Sequence, residues 1–251
     1  MTELVVVERR GDLAVATLNR PEARNAVNAA MAEAICAAMA ECQDAGAIVV
    51  TGTDPAFCAG LDLRSLGLAD MAQLAPFVAS VADSAVPVIA AVNGPAVTGG
   101  FEIALAADFI VASERAAFAD THIRVGVYPG PVMVDLPRRV GPAWAREMSM
   151  TGNFVDASTA LRIGIANHVV PHEELLPFAL DLAGAIAENN RAMVSTMRRD
   201  WDESVNTPLA DARRIHAEHG QEYYTAGRGG EGISAYREAV LARSRRQRGV
   251  D

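Results

Sequence analysis

The chain has 251 residues, a formal net charge of −9 and 51% hydrophobic side chains, and all 22 of its basic residues are arginine. Without an ε-amine there is no Schiff-base aldolase, no pyridoxal-phosphate lysine, no lysine general base and no Walker-type phosphate loop. The acidic balance and 5% aromatic content argue against nucleic acid as a partner, since that ligand is met by basic patches and stacking platforms.

Along the chain, Leu4–Val7 and Leu13–Leu18 flank Gly11-Asp12 and read as a hairpin. Asn28 is placed to cap an alanine-rich helix ending near Gln43, and Ile48–Thr51 reads as a short buried strand. Gly52 to Leu66 is irregular, and a helix is expected over Asp70 to Asp83. Val88–Val92 is a continuous apolar strand closed by Asn93-Gly94; Gly99-Gly100 opens a helix through Ala107, and Phe109–Ala112 is the next strand. Strand, helix and strand at this pitch define an α/β class with buried strands. Beyond residue 131 the pattern turns helical, with starts at Pro131, Pro142 and Asp156 and one strand left at Ala166–Val170. From Pro171 onward only helices are expected, over 172–189, 190–204, 208–225 and 230–247.

A chain of this length buries roughly 70% of its surface and needs no covalent staples. Cys36, Cys42 and Cys58 are odd in number and lack metal-ligand spacing, which suggests reduced thiols in a cytoplasmic setting. The opening residues lack a basic stretch followed by a long apolar core, so they are not read as a signal peptide. No apolar run reaches the roughly 18 residues of a membrane span.

Three glycine-bearing segments stand out: Phe57-Cys58-Ala59-Gly60-Leu61-Asp62-Leu63, Asn93 to Glu102, and Phe118 to Gly126. A glycine pair entering a helix lets a ligand approach backbone N–H groups backed by the helix dipole, the arrangement that holds a developing oxyanion. Each segment alone also fits an ordinary strand-to-helix turn. Together, and in this order, they resemble the enoyl-CoA hydratase/isomerase family, the crotonase superfamily. The resemblance runs from Thr17-Leu18-Asn19-Arg20-Pro21 and Asn25-Ala26 to about Val170, and resumes at Glu231-Gly232-Ile233-Ser234-Ala235. Its most specific block is Pro87 to Gly94, then Gly99-Gly100-Phe101-Glu102 and Ala107-Asp108.

The resemblance implies a crotonase-like α/β core of repeated ββα turns over residues 1–195, with a helical C-terminal region over 196–251 used in oligomerisation. The assembly would be a homotrimer or a dimer of trimers. It implies an acyl-CoA thioester as substrate, with no metal or redox cofactor, no nucleic acid and no membrane. The oxyanion hole matches the backbone N–H groups of Leu61 and Gly99. Of the two glutamates that share a water in such hydratases, the first matches Glu102, and His122 stands where the second falls. Histidine exchanges protons near neutrality, so Glu102 and His122 make a sensible acid/base pair; Asp120, two residues away, is the other candidate to compensate. CoA binding falls to Arg24 and the loop Ala59, Gly60, Asp62, Leu63 and Arg64, because a lysine-free chain meets phosphates with guanidinium or backbone N–H groups. Asp62 also reads as a loop anchor. Tyr128, Pro131 and Met133 lie in the stretch that borders the acyl pocket, bulkier here than the glycine-richer family pattern.

The remaining histidines, His168, His172, His216 and His219, read as structural, and Cys58 as an unactivated thiol. Arg237, Arg243, Arg245, Arg246 and Arg248 form a basic C-terminal cluster, either a solvated tail or a phosphate contact. The expected activity is hydration of a trans-2-enoyl-CoA to the 3-hydroxyacyl-CoA. The alternatives are double-bond isomerisation or decarboxylation through the same enolate, or a CoA-thioester-binding protein without catalysis.

Overall fold

A computed structural model describes residues 3–64, 74–227, 237 and 240–245. It divides into two compact units with a break after Glu188; the sequence reading put the division at 195. The first unit holds a six-stranded sheet of β1 (Val5–Arg10), β2 (Leu13–Leu18), β3 (Ala47–Gly52), β4 (Val88–Val92), β6 (Phe109–Ser113) and β9 (His168–Val170), in the order β1-β2-β3-β4-β6-β9. Only the β1–β2 hairpin is antiparallel, turning through Gly11 at φ 62°; every later pairing is parallel. Each parallel step needs a crossover, which explains why the strands after β2 alternate with helices.

β3 and β4 are buried along their whole length, and alternate residues serve two cores. Ile48, Val50, Val88, Ala90 and Val92 join a core with Met31, Ile35 and Met39 of α1 (Ala29–Glu41) and with Phe101 and Ile103 of α3 (Gly99–Ala106). Val49, Ile89, Ala91 and Val111 point the other way, onto Leu175, Ala179 and Ala183 of α7 (Leu175–Ala187). A strand buried on both faces has no polar alternation to offer, which is why these runs read as continuously apolar. Asn28 caps α1 as expected, its side chain accepting the Met31 N–H.

A second sheet, β5 (Pro95–Val97), β7 (Ala117–Ala119) and β8 (Val155–Asp156), was not anticipated. Its strands are two or three residues long, too short for a period to register. Helix α2 spans Phe77–Ala82, starting after Pro76 rather than at Asp70; residues 70–73 of the expected helix lie outside the described residues. α4 is the single turn His122–Val125. α5 (Val132–Thr151) is broken at Gly141, φ 79°, so Pro142 restarts a helix as the sequence suggested. Asp156 caps α6 (Ala157–Ile163).

In the second unit, α8 (Arg191–Ser204) and α9 (Leu209–Thr225) form a hairpin tied by Arg199–Glu222 at 2.6 Å and Asp200–His216 at 2.6 Å. Of the helix expected over 230–247, residues 240–245 are helical; Glu231 to Ala235, Arg246 and Arg248 lie outside the described residues. Among the described residues, no helix is long and apolar enough to cross a membrane.

One buried polar side chain organises the ends of the first strands. Asn25 is fully buried at φ 56°, and its Nδ2 donates to the carbonyls of Thr53 (2.8 Å), Ala56 (2.8 Å) and Phe57 (3.2 Å). Its Oδ1 accepts the Arg20 N–H at 2.8 Å. Asn25→Ala strands one buried donor and three carbonyls at once. A loss of about 3 kcal/mol is expected, read as a lower urea midpoint with unchanged slope.

Candidate active site

The three glycine segments are brought together by pairing that no local pattern reveals. Cys58 bridges Ala96: Val97 N–H donates to Cys58 O at 2.9 Å, and Cys58 N–H to Pro95 O at 3.2 Å. β5 pairs with β7, and Thr98 N–H donates to Ala119 O at 2.9 Å. The Thr98 and Thr121 hydroxyls lie 2.8 Å apart, closing the second segment onto the third.

Within this frame Gly60 and Gly99 face each other. A Cβ at Gly60, φ 87°, would stand 2.8 Å from Val97 O and 3.4 Å from Gly99 N. At Gly100 a Cβ would collide with the Cys58 carbonyl, whereas at Gly99 it would make ordinary contacts, with Phe77 Cζ at 3.5 Å and Gly60 Cα at 3.8 Å. The Leu61 and Gly99 N–H groups donate no hydrogen bond among the described residues: the bridge between Val27 and Leu61 uses Val27 N–H to Gly60 O and Asp62 N–H to Val27 O. Unpaired N–H groups in so tightly built a corner are rare. Among the described residues both are left to donate to an anionic oxygen.

Glu102 sits in the first turn of α3, 6% exposed, and its Oε1 accepts the Val132 N–H at 3.2 Å. Burial pushes its carboxyl above the usual range, against the opposing pull of the Val132 N–H and of His122. His122 is 5% exposed and opens α4, with its Nδ1 2.6 Å from Asp120 Oδ1. Strand alternation would put these two on the same face without guaranteeing reach. The strand in fact stops at Ala119, and a turn in which Asp120 Oδ1 also accepts the His122 N–H (3.3 Å) brings the ring to the carboxylate. Burial pushes Asp120 up, but the hydrogen bonds from the His122 ring, the Ser149 hydroxyl and the His122 N–H outweigh it and hold the carboxyl below the usual range.

A separate groove of about 700 Å³ is walled by Arg20, Arg24, Ala59, Leu61, Asp62, Leu63 and Arg64, among others. The expected CoA-binding residues therefore gather, with Gly60 between them, and Leu61 belongs to both groove and hole. Arg24 and Arg64 are exposed and have no acidic partner among the described residues. Asp62 is spent: its Oδ2 pairs with Arg20 Nη1 at 2.7 Å and its Oδ1 accepts the Arg64 N–H at 3.1 Å, the role of a loop anchor. Arg20 was missed as a groove residue, although the Asn19-Arg20-Pro21 stretch carries the resemblance.

Tyr128, Pro131 and Met133 are all exposed, Tyr128 by 85%. The buried member of that stretch is Val132, on Glu102. Burial pushes the Cys58 thiol up to about 12, as an unactivated thiol requires. His168, His216 and His219 lie far along the chain from these segments, and no group of metal-binding side chains occurs among the described residues.

The family model for enoyl-CoA hydratase/isomerase matches residues 8–243. The chain belongs to that family. It is 36% identical over 244 residues to a Rhizobium meliloti protein named "probable enoyl-CoA hydratase", covering 93% of this chain and 95% of that one. It is 37% identical over 226 residues to a Salmonella carnitinyl-CoA dehydratase, covering 85% and 86%. Among solved structures, an enoyl-CoA hydratase subunit of Geobacillus kaustophilus superposes with a TM-score of 0.87 at 30% identity, covering 95% of this chain and 97% of that one. An enoyl-CoA hydratase from Mycobacterium smegmatis gives 0.73 at 38% identity over 90% and 98%. The crotonase-like fold expected from the sequence is thereby established.

The buried Glu102 has a thermodynamic signature independent of activity. A carboxyl whose pKa is raised on folding keeps its proton longer in the native state, so its contribution to stability falls as pH rises through the raised value. Glu102→Gln is therefore expected to melt at a higher temperature than wild type at neutral pH. That advantage should vanish below the ordinary carboxylate range, as read by thermal denaturation across pH.

Proposed function

We propose that the protein is an enoyl-CoA hydratase that adds water to a trans-2-enoyl-CoA. The observation that carries this reading is the pair of unpaired N–H groups, Leu61 and Gly99, on facing loops beside a buried Glu102–His122 pair. The thioester carbonyl oxygen accepts both N–H groups, drawing charge toward itself. Glu102, as carboxylate, takes a proton from water while the water oxygen attacks the β-carbon. The electron pair moves into the thioester enolate, which the two N–H groups stabilise. His122 delivers a proton to the α-carbon, and proton exchange with solvent resets both side chains. The requirement for an anionic Glu102 sets an acid limb in the rate above the ordinary carboxylate range.

The CoA moiety lies in the groove with its phosphates on Arg24 and Arg64. No cofactor beyond that moiety enters the scheme. The C-terminal helices serve assembly into a trimer or a dimer of trimers, and the setting is cytoplasmic. A second reading follows from His122, which stands where such hydratases carry a carboxylate: isomerisation or decarboxylation through the same enolate. Product analysis on 2-enoyl and 3-enoyl thioesters separates these reactions.

With crotonyl-CoA as substrate, Glu102→Gln is expected to lower kcat by a factor on the order of 10²–10⁴. Gly99→Ala, whose methyl the fold accommodates, should raise the barrier by about 3 kcal/mol by obstructing the hole. Full turnover in Glu102→Gln would exclude this mechanism, and a wild type that binds CoA thioesters without turning any over would favour the binding-protein alternative.

Arg24→Ala and Arg64→Ala are each expected to weaken CoA binding about tenfold, roughly 1.4 kcal/mol, and to flatten its salt dependence in titration calorimetry. Unchanged affinity in both variants would place the phosphates elsewhere.

A further inference from the structure

The proposed proton transfers give Asp120 no role, yet it is a buried acid in contact with His122. It is fully buried, and its Oδ1 is shared between the His122 ring nitrogen at 2.6 Å and the His122 N–H at 3.3 Å. We infer that Asp120 is a positioning residue: its carboxylate takes the Nδ1–H of His122, fixing the ring so that Nε2 is the atom that exchanges protons with substrate. What Nε2 then does rests on the hydratase reading; which nitrogen carries the proton does not.

Three observations support this. An oxygen and a nitrogen 2.6 Å apart repel unless a proton lies between them, and a carboxylate supplies none, so the proton belongs to Nδ1. The turn that places Asp120 makes the contact rigid, because the same oxygen that caps the His122 N–H also faces the ring; the ring cannot rotate away without abandoning its only charged hydrogen-bond partner. The two carboxyl groups that act on the ring are also held in opposite senses, Glu102 above the usual range and Asp120 below it. Pushing two carboxyl groups apart in this way divides their labour. Glu102 gains and loses a proton, and Asp120 stays an anion that orients.

A purely structural Asp120 would still cap the His122 N–H, so the decisive reading is the tautomer. Long-range ¹H–¹⁵N correlation spectra above neutral pH, with His122 assigned through its loss in His122→Gln, are expected to show a protonated Nδ1 and a bare Nε2. Asp120→Ala should shift the ring toward the Nε2–H tautomer. It should lower kcat for crotonyl-CoA by about 10–100-fold while KM stays within about threefold. A wild-type ring protonated at Nε2 alone, or an Asp120→Ala protein with the wild-type tautomer and kcat, would overturn the inference. If Asp120→Ala fails to fold, Asp120→Asn keeps an acceptor for the backbone N–H and gives the same two readings. If the wild type hydrates no enoyl-CoA, the hydratase reading falls, and the tautomer alone still decides the role of Asp120.

Discussion

The site hangs on the buried amide of Asn25. Three carbonyls of the segment 53–57 converge on one NH₂ group, and the same side chain accepts from Arg20. This fixes the chain entering the Cys58–Leu61 loop against the chain leaving β2. The backbone continues the tie: Ala59 N–H donates to Arg24 O at 3.0 Å, and Val27 N–H to Gly60 O at 2.8 Å. Among the described residues the Leu61 N–H donates no hydrogen bond. An aspartate at position 25 would offer oxygens to three carbonyl oxygens, so only an amide satisfies both ends. The left-handed backbone at φ 56°, which asparagine tolerates better than most residues, is part of the same requirement.

A chain without lysine places its cations differently, and two arginines show how. Arg20 reaches Asp62 and the Ala26 carbonyl with one nitrogen, holding the groove wall from inside. Arg139, whose guanidinium burial pushes downward in pKa, reaches the carbonyls of Leu105 and Ala107 at the C-terminal end of α3. There a cation meets the negative end of the helix dipole. α3 therefore has the Gly99 N–H, the proposed oxyanion donor, at one end and a guanidinium at the other. Both carbonyls are reached by the same nitrogen, Nη2, at 3.4 and 3.3 Å.

Much of the fold was legible because its long elements are regular. The apolar runs of β3 and β4, the Asn28 and Asp156 caps and the Gly-Asp hairpin all carry their cause in adjacent residues. What could not be read is what depends on distant partners. β5, β7 and β8 are defined by pairing rather than by period, and Pro95 to Val97 looks like a turn until Cys58 and Ala119 are seen beside it. The reach between Asp120 and His122 was left open by the sequence for a related reason. A three-residue strand ends before its alternation can be trusted, and a turn replaced it. At the site, glycine positions announced where backbone must approach backbone, while Arg20 gave no sign that it walls the groove, since an arginine before a proline is ordinary loop chemistry.

Chemistry-bearing residues in hydrogen-bond order do not by themselves make an active site, and this chain holds its own control. Ser113 Oγ lies 3.0 Å from His172 Nδ1, and His172 Nε2 lies 3.0 Å from Asp54 Oδ2, the connectivity of a nucleophilic triad. Yet Ser113 is wholly buried and its hydroxyl already accepts the Arg115 N–H at 3.1 Å. Asp54 is the exposed member, at 59% of its side chain, the reverse of the buried carboxylate that steadies a catalytic histidine. Its second oxygen accepts from Asn93, so the chain of bonds ties the ends of β3, β4 and β6 to the segment after β9. At His122 the carboxylate is the buried partner, and the neighbouring loops present N–H groups that donate to no described residue. Of two histidines that both touch an aspartate, burial of the acid favours His122 as the candidate for chemistry, and the exposed Asp54 suits His172 to a clamp.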